Sequence, residues 1–306
     1  MVRVAARQAK GQSMRWVICA LAVFAFAPCA LADDLDVLRG SQPVGPPTYP
    51  RWSGFYVGGQ FGVGDVNADF SKATQGPLGF VLRETLLEQD FNPSQWPILG
   101  KASVDGLSFG GFAGYNTQWQ DLILGIEADY TRTSDTLFAP ASPIGRILST
   151  SISNGLQGFD PALTASASLQ LMDYASLRAR AGWIAGDFLP YGFAGFVLGL
   201  ANYNVSATVQ WQEEKSITDP VTGKLTPIIF PCVPSADVYC SSTYLFSSSQ
   251  GKNSALMYGF SVGGGLDYAL NQNVFLRGEF EFVQFAPIAN IVASIISARA
   301  GAAIKF

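Results

Sequence analysis

Residues 274–306, VFLRGEFEFVQFAPIANIVASIISARAGAAIKF, constrain the fold more than any other stretch. In the first half Leu276, Gly278, Phe280 and Phe282 share one parity, and Arg277, Glu279 and Glu281 share the other. In the second half Ile296, Ala298, Ala300, Ala302, Ile304 and Phe306 share an uncharged parity, opposite Arg299 and Lys305. A period of two belongs to β-strands. Two such segments joined around Pro287 read as a hairpin. Alternation does not say which parity lies inside. A soluble barrel hides its apolar face in the lumen, whereas a membrane barrel turns that face out to lipid.

The rest of the chain sets the sign. Over Trp52–Phe70, Phe55, Val57, Phe61 and Val63 alternate with Tyr56, Gly58, Gln60 and Gly62. A second strand spans about Ser103–Trp119 and turns at Gln120-Asp121. Leu122, Leu124, Ile126 and Ala128 then oppose Glu127 and Asp129. Between Tyr174 and Ala185, Leu177, Ala179, Ala181 and Trp183 oppose Arg178 and Arg180. A Gly186-Asp187 turn leads into LPYGFAGFVLGLANYNV, apolar on both parities, so its facing stays open. Over Leu256–Leu270, Leu256, Tyr258, Phe260, Val262, Leu266 and Tyr268 oppose Ser261, Gly263, Gly265 and Asp267. A short Asn271-Gln272-Asn273 turn enters the closing hairpin.

This predicts eight strands. Their connections alternate between tight turns and long loops over roughly 71–101, 136–166 and 213–250, with a shorter one at Pro287–Asn290. Tight turns at one end and long loops at the other mark outer-membrane barrels, with the long loops outside. The polar parity collects Glu127, Asp129, Arg178, Arg180, Asp267, Arg277, Glu279, Glu281, Arg299 and Lys305, five acids and five bases among glycines. A narrow lumen demands such a balance, because each buried charge needs a partner. The opposite parity is what lipid requires, and Trp119, Trp183, Tyr130 and Tyr268 fall near strand ends, where an aromatic girdle sits. The expected fold is therefore an all-β, eight-stranded antiparallel transmembrane β-barrel with three long extracellular loops. Two uses of the lumen charges stand side by side: a structural salt-bridge plug, or a site for transport or catalysis. The plug is the simpler reading, since side chains fill eight-stranded barrels.

Residues 14–32, MRWVICALAVFAFAPCALA, carry a basic start, an apolar core and an Ala30-Leu31-Ala32 cleavage site, so 1–32 reads as a secretory signal peptide rather than a retained anchor. Translation starts at Met1 or Met14. Pro43, Pro46, Pro47 and Pro50 make 33–50 a stiff periplasmic linker, and 51–306 is the barrel. Cleavage removes Cys19 and Cys29. Cys232 and Cys240 remain, eight positions apart, and in an exported chain they read as a disulfide. Residues 80–91, FVLRETLLEQDF, read as a short amphipathic helix, lying on the membrane surface or packed within its loop.

Composition excludes several functions. The chain has no histidine, which removes the usual general base, the commonest metal ligand and the centre of a Ser-His-Asp triad. Loss of the signal leaves fifteen Lys and Arg against 23 acids, a net charge of −8, without a basic patch for nucleic acid. No cofactor, metal or catalytic residue is expected.

At WSGFYVGGQFGVG, SLRARAGWIAGDFLPY, LRGEFEFVQF and ARAGAAIKF the chain resembles the small outer-membrane surface barrels of alphaproteobacteria, the Omp25/Omp31-like group also labelled "porin family". The resemblance covers about 50–306. It implies location in the outer membrane of a Gram-negative cell, with outer-membrane lipid as surroundings. It also implies that the terminal aromatic Phe306 is recognised by the barrel-assembly machinery. The leading function is envelope structure and display of the loops as a surface antigen, without catalysis; the loop partner is not named by the sequence. A porin-like channel for small solutes is the alternative. A haem or other ligand receptor ranks third, weakened by the absence of histidine.

Overall fold

The computed structural model describes residues 52–306 except 134, 228, 236 and 237. The expected signal peptide and linker lie outside the described residues. Among those described, no helix is long and apolar enough to cross a membrane.

Eight long strands carry the chain: β1 Gly54–Asp69, β2 Lys101–Trp119, β3 Leu122–Arg132, β4 Ala162–Trp183, β5 Phe188–Trp211, β6 Tyr244–Ala269, β7 Val274–Phe285 and β8 Val292–Lys305. Each pairs antiparallel with its neighbours in sequence, and β8 returns to β1 along the register Tyr56↔Lys305 to Asp69↔Val292, so the sheet closes into a barrel. Closure leaves no strand edge facing hydrocarbon. The turn end carries Gln120-Asp121, Gly186-Asp187 and Asn271–Asn273. Gly186 has a left-handed φ of 62°, which a glycine adopts without strain.

Burial decides the sign that alternation leaves open. Phe61 is 69% exposed, Ile126 63% and Phe196 80%, whereas Glu279 and Asp129 are 2% exposed. Apolar side chains face out and charges face in, as a membrane barrel requires. On the ambiguous β5, Leu189, Tyr191, Phe193 and Val197 point inward, while Phe188, Phe196 and Leu198 point outward. Moving from the turn end, the outward positions stay apolar and then become polar at Asp65, Asp105, Arg132, Asp173, Asn202, Ser254, Gln284 and Ser294. Those residues trace the outer limit of the lipid-facing band.

Three strands run further than the alternation suggests. β4 starts at Ala162, β5 continues to Trp211, and β6 starts at Tyr244. The loops beyond them hold a small sheet in the order Val238–Cys240, Glu213–Ile217, Gly155–Phe159 and Leu148–Ile152. The first long loop forms two helices, α1 Gln75–Leu82 and α2 Leu86–Phe91, where one helix over 80–91 is expected. The break falls at Glu84, with φ 66°, and Thr85, whose Oγ1 accepts from the Glu88 backbone N–H at 3.1 Å as a new N-cap. Leu78, Leu82 and Leu87 pack with Leu163, Ala207, Val209 and Trp211, so this segment covers the inner side of the extended strands.

Candidate functional site

The barrel interior is layered. At the turn end Trp52, Tyr56, Phe112, Ile123, Leu189 and Phe275 pack together. At the loop end Val66, Phe70, Leu169, Leu171, Val197, Val205, Phe285 and Ile295 form a second apolar layer. Nine of the ten expected charged side chains lie on strand positions between these two layers.

Arg178 is the hub. Its Nη2 lies 2.5 Å from Glu127 Oε1, and its Nη1 lies 2.8 Å from Glu279 Oε1 and 3.4 Å from Glu281 Oε1. Arg180 Nη2 donates to Asp267 Oδ2 at 2.7 Å, and its Nη1 reaches Glu127 Oε2 at 3.3 Å. Arg277 forks onto Asp267, with Nε donating to Oδ1 at 2.9 Å and Nη2 to Oδ2 at 3.2 Å. Its Nη1 also donates to Glu127 Oε2 at 2.8 Å. Arg299 donates to Asp129 Oδ1 at 3.2 Å and lies within 2.8 Å of both Glu279 and Glu281. Glu127 thus collects three guanidinium groups from β4 and β7. Four arginines meet five carboxylates, all with side chains at most 2% exposed. The tenth expected residue, Lys305, stands at the turn end opposite Tyr56 in the register, with Nζ 5.9 Å from the Trp52 ring centre.

Neutral groups complete the shell. Tyr56 OH donates to Glu127 Oε2 at 2.6 Å, Tyr191 OH to Glu279 Oε2 at 2.8 Å, and Tyr174 OH to Glu281 Oε2 at 3.3 Å. Gln60 Nε2 donates to Asp129. Guanidinium carbons lie over rings: Arg178 over Phe193 at 4.3 Å, Arg180 over Tyr191 at 3.9 Å and Arg277 over Phe112 at 4.1 Å. Such stacking suits arginine, whose flat, weakly hydrated head tolerates burial better than an ammonium. Glycine makes the room. A Cβ at Gly114 would stand 2.3 Å from Tyr56 Oη, and one at Gly265 2.6 Å from Tyr191 Oη. These tyrosines are not singled out by sequence reasoning as partners of the charges. For Tyr56 the parity opposite Phe55 and Val57 is a signal that could have found it; Tyr191, on a strand apolar on both parities, carries none.

Every carboxylate is held by at least one arginine, the pairing that a salt-bridge plug calls for. Among the described residues no group of His, Cys, Asp and Glu is placed to hold a metal ion. Away from the lumen, Cys232 and Cys240 are joined by a disulfide in the third long loop, with Cα atoms 5.7 Å apart. Phe306 is 76% exposed, and its backbone N–H donates to the Phe55 carbonyl at 2.8 Å.

A closed ring of eight antiparallel strands, apolar outside and charge-paired inside, defines an outer-membrane barrel protein. Residues 18–301 match the family model described as "Outer membrane protein beta-barrel domain", and the chain belongs to that family. Among solved structures, Neisserial surface protein A is similar at 16% identity, over 83% of this chain and 98% of that one, with a TM-score of 0.34. Ail, the attachment invasion locus protein of Yersinia pestis, is similar at 10% identity over 82% and 99%, with a TM-score of 0.29. No curated protein sequence matches the chain.

Proposed function

We propose that this outer-membrane barrel is a closed structural element that strengthens the envelope and displays its loops, without catalysis and without a solute path. The supporting observation is the lumen cross-section: nine charged side chains on β3, β4, β6, β7 and β8, four arginines and five carboxylates, pair with one another between two apolar layers. A water path needs side chains that line space, whereas these fill it. The charge network is then a scaffold, and function resides on the outer surface. Its surroundings are outer-membrane lipid, and the barrel-assembly machinery inserts it by reading Phe306, just past the closing strand. Motifs on β1, β4, β5, β7 and β8 favour the alphaproteobacterial Omp25/Omp31-like group within the family.

Single-channel recording tests the reading. The mature chain, 33–306, refolded into a planar bilayer and shown to be folded, is expected to stay silent. Reproducible stepwise openings would overturn the closed lumen and establish a porin-like channel.

A further inference from the structure

β4, β5 and β6 rise about ten residues beyond the lipid-facing band, which at ~3.3 Å per residue and ~40° of tilt is roughly 25 Å. Two β-bulges, between Leu171 and Asp173 and between Lys252 and Ala255, fall where the band ends. Above them the outward and inward faces differ in chemistry. On β4 and β5 the inward face is apolar and backed by α1: Leu163, Ala207 and Val209 are fully buried against Leu78 and Leu82, whereas on β6 the same parity carries Ser248, Gln250 and Lys252. The outward face carries no charge, since no Asp, Glu, Lys or Arg occurs over 162–170, 202–210 or 244–251.

Register aligns its side chains in rows. Thr164, Thr208 and Ser247 form one row across the three strands, and Ser166, Ser206 and Ser249 form the next. Neighbouring strands lie ~4.8 Å apart and successive rows ~6.6 Å apart, giving a grid of hydroxyl groups. Thr208 Oγ1 and Ser247 Oγ are 2.9 Å apart, so one lateral hydrogen bond is already made and further donor and acceptor capacity faces outward.

We infer that this face docks the saccharide portion of the glycolipid that forms the outer leaflet around the barrel. Continuity carries the assignment. On β5 the same outward parity runs through Phe196, Leu198 and Leu200 and then directly into Asn202 and the hydroxyl rows. A molecule whose acyl chains cover the lower positions holds its sugars against the upper ones. Chemistry agrees: hydroxyl and amide side chains both donate and accept, as sugar hydroxyls do. A protein partner would look for buried aromatic or arginine anchors, and the six row residues supply none. Phosphates would look for Lys or Arg, and these three stretches have none. The inference rests on the outer-membrane location and not on the closed lumen, so it stands or falls apart from the conductance result.

The test uses the whole mature protein in detergent micelles, titrated with purified lipopolysaccharide that keeps its core oligosaccharide and, separately, with lipid A alone. Binding is read by calorimetry. The glycolipid with core sugars is expected to bind about tenfold more tightly than lipid A, a difference of ~1.4 kcal/mol. The variant T164V/S166A/T208V/S249A, which removes four hydroxyls with little change in side-chain size, is expected to lose that preference while binding lipid A unchanged. A second variant, T164S/T208S, retains every hydroxyl and is expected to keep the preference, which separates recognition from misfolding. Equal affinity for the two lipids, or a preference that survives loss of the four hydroxyls, overturns the inference. Free core oligosaccharide binding as tightly as the intact glycolipid also overturns it, because the face would then receive soluble glycans.

Discussion

Arg178 shows how much one residue can hold. It sits on β4 among Glu127, Asp129, Glu279 and Glu281, with the Phe193 ring beneath it. Replacing it leaves buried carboxylates short of a cation, which costs about 3–5 kcal/mol, far more than the net worth of the intact pairs. R178M and R180M are therefore expected to lower urea-unfolding stability in lipid vesicles by that order, and unchanged stability would contradict a scaffolding role. At Gly265 a side chain would collide with Tyr191 Oη and the Gly278 carbonyl. G265V is expected to cost about 1–3 kcal/mol through overpacking in the same assay. In the third long loop, the backbone N–H groups of Val221 and Thr222 donate to Asp219 Oδ1 at 2.8 and 3.2 Å and hold its carboxyl below the usual range. A depressed carboxyl stabilises its turn above the unfolded pKa and loses that contribution as pH falls through the folded one. In an NMR titration the Val221 amide proton should move with a midpoint lower than an ordinary aspartate's; a midpoint in the ordinary range would mean that the turn does not form. The charged positions could be read from sequence, because charges recur two residues apart: Glu127 and Asp129 on β3, Arg178 and Arg180 on β4, and Arg277, Glu279 and Glu281 on β7. The rings beside them could not, because on β5 Tyr191 and Phe193 have apolar neighbours of the opposite parity.

At the scale of elements, the eight crossings were legible, since a period of two is local and each tight turn is marked by polar or glycine residues. The extensions of β4, β5 and β6 were not. Over ALTASASLQ the inward parity is Leu163, Ala165, Ala167 and Leu169, and alanine opposite serine gives too little contrast to announce a strand. The break between α1 and α2 was equally hidden, since it depends on the left-handed Glu84 rather than on any interruption of the apolar pattern. What secures the tall side is Trp211, which is 3% exposed and stacks on Tyr244 and Phe246 at 5.0 and 5.6 Å. Truncating a buried tryptophan costs about 3–5 kcal/mol, and here the loss falls on the extension alone. W211A is expected to speed protease cleavage between 213 and 243 while leaving the membrane-embedded barrel intact on gels. Cleavage at the wild-type rate would show that other contacts hold the tall side.

For the molecule as a whole, lipid outside and paired charge inside divide the work. The outward band supplies the partition into the membrane, and the inner layers supply uniqueness of register, because a slip of one residue would turn Arg178 and Glu279 into lipid. The expected processing has its own check: N-terminal sequencing of protein from outer membranes should begin at Asp33, and a start upstream of it would mean a retained leader. The seam between β1 and β8 has a further consequence. Tyr56 and Lys305 are neighbours in space and 249 positions apart in the chain, so this ladder carries the longest loop-closure cost in the fold. Until β8 arrives, β1 and β7 each show a bare edge, the kind of surface that recruits foreign strands. The barrel is thus a clasp whose two halves are made first and last, and the cell must keep the halves apart from everything else for as long as the rest of the chain takes to follow.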